Sequence, residues 1–206
     1  MIIVRTGVNA VMPIKKRLYC RMLCAVFALL MTVSCLSCGD NKSNDTTMTE
    51  SLIASYMNAF RDYNISGMNK CCMVNLDPYN DSDAEVKACR AIAERVDWES
   101  LPISIDGNSA IAQLKLTVPA DVETVCGAAL NDTVKALDGG SDDNYADLLI
   151  AAIKKRAGNA KTVTLSVEIH MTKVDNKWYI VKSLGVNRFL SEIRTSVTAV
   201  FSLIEG

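Results

Sequence analysis

Thr162-Val-Thr-Leu-Ser-Val-Glu-Ile-His-Met-Thr-Lys-Val-Asp-Asn-Lys-Trp-Tyr-Ile-Val-Lys182 is the stretch whose reading decides the fold. Val163, Leu165, Val167, Ile169 and Met171 fall on one parity, while Thr162, Thr164, Ser166, Glu168, His170 and Thr172 fall on the other. Successive strand side chains point to opposite faces, so this alternation predicts a half-buried antiparallel strand. Val174-Asp175-Asn176-Lys177 is the predicted turn, and Trp178-Tyr179-Ile180-Val181 continues as the partner strand.

Working outward, Trp98–Ile105 and Ala110–Val118 form a second predicted hairpin around Asp106-Gly107-Asn108, a turn sequence tolerant of left-handed backbone. Ala112, Leu114, Leu116 and Val118 share one face, and Pro119 ends the strand. Ahead of it, Leu52, Ile53, Tyr56, Phe60 and Tyr63 recur at helical spacing after a cap at Thr47 or Thr49. Asn64-Ile65-Ser66-Gly67 breaks that helix, and a shorter one through Met68–Leu76 is closed by Asp77-Pro78. Ser82 with Glu85 reads as a capping box opening a third helix. A helical pair fills 120–160, with Asp138-Gly139-Gly140-Ser141 as its turn and Lys154-Lys155-Arg156 before Gly158 as its end. Asn187 caps a last helix, Arg188–Glu205. Apolar stripes at this spacing are read as core. The predicted class is α+β: N-terminal helices on a curved four-stranded antiparallel sheet, with a helical-hairpin insertion and a C-terminal helix.

This order resembles the nuclear-transport-factor-two-like, cystatin-like cone superfamily and its envelope lipoproteins of unknown function. The residues carrying the resemblance are Ser51–Tyr63 with the Asn64-Ile65-Ser66-Gly67 break, and Lys173-Val174-Asp175-Asn176-Lys177-Trp178-Tyr179-Ile180-Val181. The resemblance implies a cone-shaped cavity between sheet and helices.

Before Cys38 stand five basic residues, Arg5, Lys15, Lys16, Arg17 and Arg21, and no acid. Leu23–Ser37 is uncharged and too short for a comfortable membrane span. It ends in Cys35-Leu36-Ser37-Cys38-Gly39-Asp40. This pattern resembles a bacterial lipoprotein signal, and the Ser-Cys-Gly-Asp junction resembles those of Bacteroides-type envelope lipoproteins. The resemblance implies lipidation of Cys38, with Cys35 as the alternative, and anchoring to an envelope membrane, the outer one in a Bacteroides-type cell. The lipid bilayer is then the first partner. Asp45-Thr46-Thr47 also resembles sites that such bacteria O-glycosylate, which implies Thr46. The expected organisation is a signal over 1–37, a flexible tether over 38–49 and one domain over 50–206.

From Cys38 onward the chain has 17 basic and 23 acidic residues, a net charge of −6. A mildly acidic surface without a basic stripe offers nothing to nucleic acid.

His170 is the single histidine and shares a strand face with Glu168, about 7 Å away at two-residue spacing. The pair is a candidate for a cavity wall or a polar face. A solvent-facing or merely hydrogen-bonded histidine is the favoured reading, and no catalytic set can be matched. Cys71, Cys72, Cys89 and Cys126 contain no C-x-x-C spacing, and one histidine gives no zinc pattern, so neither metal nor cofactor is expected. Cys72–Cys89 is a candidate disulfide, with Cys71–Cys89 as a variant and free thiols equally compatible. The expected function is non-enzymatic binding of a small ligand or an envelope protein. An isomerase or hydrolase using the same cavity is the alternative. A second alternative is homodimerisation through the last helix.

Overall fold

In the computed structural model, which describes residues 43–76 and 80–203, Ser109–Pro119 (β3) and Thr162–Val174 (β4) pair antiparallel over eleven positions. The ladder runs from Ser109↔Thr172 to Pro119↔Thr162, so Ala112, Leu114 and Leu116 lie beside Ile169, Val167 and Leu165. On β3 the even positions Ala110 to Val118 are all buried, as their alternation requires. Lys177–Lys182 (β5) pairs with the far end of β4 through a turn in which Asp175 and Asn176 take positive φ. Asp97–Ser100 (β1) and Ser104–Asp106 (β2) both pair with β3, giving a five-stranded antiparallel sheet. Four strands were expected. The first is split because Pro102 has no N–H to donate, although Leu101 still bonds to the Gln113 carbonyl at 2.9 Å.

Helices cover one face of the sheet. α1 is helical over 43–61, followed by α2 (Ile65–Cys71), α3 (Asp83–Ala93), α4 (Val122–Asp138), α5 (Tyr145–Asn159) and α6 (Leu184–Ser202). From Asp45 the chain is one compact unit. Tyr56, Phe60, Ile92, Leu114, Ile153, Ile169 and Ile193 have no exposed surface, and together they fill the space between sheet and helices. The opposite face, with Lys115, Ser166 and Glu168, is open to water.

Several boundaries differ from the sequence reading. Residues 43–49 are helical and Thr49 is buried, its hydroxyl bonding back to the carbonyls of Asp45 and Thr46 at 2.9 Å each. The expected flexible tether therefore stops short of 49. The cause is Asp45, whose Oδ1 accepts from Lys173 Nζ at 2.7 Å and from Trp178 Nε1 at 3.1 Å, docking the first turn onto the β4–β5 hairpin. Helix α6 begins at Leu184 and not after Asn187, because the Asn187 side chain accepts from the Tyr56 hydroxyl at 2.9 Å instead of capping. Gly158 does not end α5. A side chain there would meet the Arg95 guanidinium at 3.1 Å, so glycine serves a close approach. Capping at Ser82–Glu85 is as expected, with both reciprocal bonds present.

Two outcomes follow from this packing. A Cβ at Gly185 would overlap Val167 Cγ1, so Gly185→Ala should destabilise the fold by about 1–3 kcal/mol in chemical denaturation. The bonds from Lys173 and Trp178 hold the Asp45 carboxyl below its ordinary value of 3.8. A lowered carboxyl stabilises the fold above that value and loses its effect as pH falls through the folded value. Asp45→Asn should therefore lower Tm at neutral pH, with the gap to the parent closing only below about pH 3.8.

Candidate functional site

The residues singled out from sequence do not converge. Glu168 and His170 lie on the solvent face of the sheet, outside any interior space. Glu168 Oε1 accepts from Gln113 Nε2 at 2.6 Å, and Oε2 is 3.3 Å from His170 Nε2. The Gln113 bond, then His170, draws the Glu168 carboxyl below the usual range. This is a cross-strand polar pair, Gln113 being directly opposite Glu168 in the ladder. Thr46 sits half-buried in the first described turns of α1. Cys35 and Cys38 lie outside the described residues.

Cys72 and Cys89 are free thiols, as are Cys71 and Cys126, so the candidate bridge is absent. The two lie in different settings. Cys72 follows α2 and bridges in parallel to Ile180, whereas Cys89 is buried on α3 beside the Tyr63 hydroxyl. Burial pushes the Cys89 and Cys126 thiols up to about 12 and Cys72 up to about 11, which keeps all three protonated and unreactive at neutral pH.

The arrangement that sequence reasoning missed is centred on Asp81. Its side chain is 4% exposed, and both oxygens are engaged. Oδ2 accepts from the Tyr63 hydroxyl at 2.9 Å and Oδ1 from Arg194 Nε at 2.8 Å. Local chemistry brings these groups together. Tyr63 takes a positive φ of 50° to end α1, and Asn64 then caps α2 by accepting from Gly67 N–H. The Ser82 capping box fixes the start of α3 directly after Asp81. Arg194 arrives from α6, over a hundred positions later, and no local pattern signals that pairing. Desolvation is the main cause that raises the Tyr63 phenol well above its ordinary value, with Cys89 and Asp81 adding to it. The hydroxyl therefore stays a donor.

A surface cleft of about 490 Å³ opens beside this trio, lined by Ser66, Asn69, Lys70, Asn75 and the edges of Tyr63 and Asp81. That volume is within the range of small-molecule sites, roughly 300–1,000 Å³. Asn69 is committed, its Oδ1 accepting from Leu76 N–H at 2.6 Å and its Nδ2 donating to the Leu76 carbonyl at 3.2 Å. Lys70, Ser66 and Asn75 are the exposed polar groups. The cleft thus presents hydroxyl, amide and ammonium groups beside the bonded Asp81 carboxylate, an arrangement that can recognise polar groups.

Among the described residues, the apolar stripe of the last helix is not an exposed face. Phe189, Leu190, Ile193, Val197 and Val200 are all buried within the domain, where α6 packs on α3 and α4. Among the described residues no group of His, Cys, Asp and Glu is arranged to hold a metal ion. Nor is any helix among them long and apolar enough to cross a membrane.

No protein-family model matches the chain, and no curated protein sequence matches it. Solved structures do align with it. One is Rv3472, a protein of unknown function from Mycobacterium tuberculosis, over 78% of this chain and 93% of that one, at 12% identity and a TM-score of 0.34. Another is ycdA, a candidate lipoprotein of Bacillus subtilis, over 67% of this chain at 16% identity and a TM-score of 0.37. This chain spans 44% of the ycdA structure.

The thiol assignment has a direct check. In the native state iodoacetamide at neutral pH should modify Cys72 slowly and leave Cys89 and Cys126 untouched, with all of them reacting after unfolding without reductant. Non-reducing peptide mapping that recovers a Cys72–Cys89 crosslink would contradict it.

Proposed function

We propose that the chain is a lipid-anchored protein of the bacterial cell envelope whose domain acts by binding a small polar ligand, not by catalysis. The anchor rests on the uncharged Leu23–Ser37 stretch and on Cys38 at its end. Ser43, where the described helix begins, is five residues beyond Cys38. Five residue steps reach at most about 18 Å even when fully extended. A lipidated Cys38 would therefore keep the domain near the membrane surface, within reach of ligands in that layer.

The observation that carries the binding reading is the cleft beside Asp81. Its walls are preorganised by bonds that link α1, the start of α3 and α6, and its exposed groups, Ser66, Lys70 and Asn75, are hydrogen-bond donors and acceptors. Rigid walls with a few placed polar groups are what small-ligand recognition requires.

Two experiments test the two halves separately. A clickable palmitate analogue should label the parent and the Cys35→Ser variant but not Cys38→Ser, which should also leave the membrane fraction. Labelling that follows Cys35 instead would move the anchor. For the cleft, native mass spectrometry of the chain released from its lipid should show a co-purified small molecule that Lys70→Glu loses. A parent that carries nothing counts against the ligand.

A further inference from the structure

The sheet has exposed edges that are treated in different ways. β5 is covered at Ile180, which bridges to Cys72 and whose carbonyl accepts from Met73 N–H at 2.8 Å. The β1–β2 edge is interrupted between Ser100 and Ser104 by Pro102, and it carries Asp97 and Glu99. Interruption, proline and charge are the usual means of keeping an edge from pairing with another chain.

β4 has none of these along its first half. β3 pairs with β4 from Thr162 to Thr172, but on the other side β5 pairs only from His170 to Val174. Thr162 to Ser166 thus have no strand neighbour on that side among the described residues, and all of them are exposed. Val163 and Leu165 are 42% and 37% exposed although their parity is that of the buried Val167 and Ile169. Gly185 packs against Val167, so the cover provided by α6 begins where the free edge stops. The stretch is uncharged, without proline, and rich in β-branched residues, which is the composition of a strand that pairs readily.

We propose that a second copy of this chain occupies the Thr162–Ser166 edge, pairing antiparallel across a two-fold axis. The segment is complementary to itself. In a two-fold antiparallel pair centred on Thr164, Val163 faces the partner's Leu165, Thr162 faces the partner's Ser166, and Thr164 faces the partner's Thr164. Apolar groups thereby meet on one face and hydroxyls on the other, and both kinds of cross-strand pair are favourable. Charge selects the same direction. Lys161 stands at one end of the uncharged stretch and Glu168 beyond the other, so antiparallel copies bring unlike ends together. Parallel copies would stack like charges. The ladder would extend the five-strand sheet into one of ten strands across the two copies, with five residues of each edge paired, a typical strand length.

The test uses the full chain in membranes of the expressing cells. A short bismaleimide should link Thr164→Cys into a dimer of twice the chain mass, while the parent and Glu123→Cys on exposed α4 stay monomeric. Adding Leu165→Lys to Thr164→Cys replaces an apolar contact in both copies and should cut the dimer yield about tenfold, with Tm unchanged. Should Thr164→Cys prove poorly folded, hydrogen exchange on the parent serves, the amides of 162, 164 and 166, which face the free edge, becoming slower as protein concentration rises. Either result supports the pairing. Crosslinking to a different protein, equal dimer from Glu123→Cys, indifference to Leu165→Lys, or exchange independent of concentration would overturn it.

Discussion

The eleven-pair ladder between β3 and β4 is the constraint on which the rest of the molecule depends. A slip of β3 by one residue would turn Ala112, Leu114 and Leu116 to water and bring Gln113 and Lys115 into the core. Two long strands with matched alternation make that slip costly, and the turn at Asp175–Asn176 sets where β5 joins. The face that results is one continuous apolar surface, and helices from both ends of the chain are needed to cover it. The face left over becomes the solvent side, where Glu168 and His170 find their partners.

Three polar contacts tie those helices to the sheet and to one another, each joining segments far apart in sequence. Asp45 binds the start of α1 to Lys173 and Trp178 on the hairpin. Tyr56 in α1 meets Ser183 and Asn187 at the start of α6. Asp81 binds the approach to α3 to Tyr63 and Arg194. A buried carboxylate is costly when alone and acceptable when its oxygens are all bonded. Asp81, nearly fully buried, meets that condition.

Much of the fold was legible because period and punctuation agree. The alternation at 110–118 and 167–171, the Gly107 turn and the Ser82–Glu85 box are local signals, and the structure follows each of them. Misreadings occur where a distant partner overrides the local pattern. Asn187 looked like a cap until Tyr56 took its side chain, and Gly158 looked like a terminator until Arg95 approached it. On α4, Val134 is exposed while Thr133 is buried, its hydroxyl satisfied by the Ala129 carbonyl. The site was hardly legible at all. Tyr63, Asp81 and Arg194 belong to three unrelated local patterns.

By itself the sequence determined the class, the parity of each strand, most of the caps and turns, and the apolar stretch that ends at Cys38. These follow from propensities acting over a few residues, and such propensities are written in the chain. Tertiary structure alone decided how far the helical cover extends along β4. Val163 and Leu165 have the pattern of core residues, yet β5 turns away at Lys182 and α6 reaches only to Val167. Alternation states which side of a strand is apolar. Whether another element lies over that side depends on where distant segments pack, and that leaves this edge uncovered.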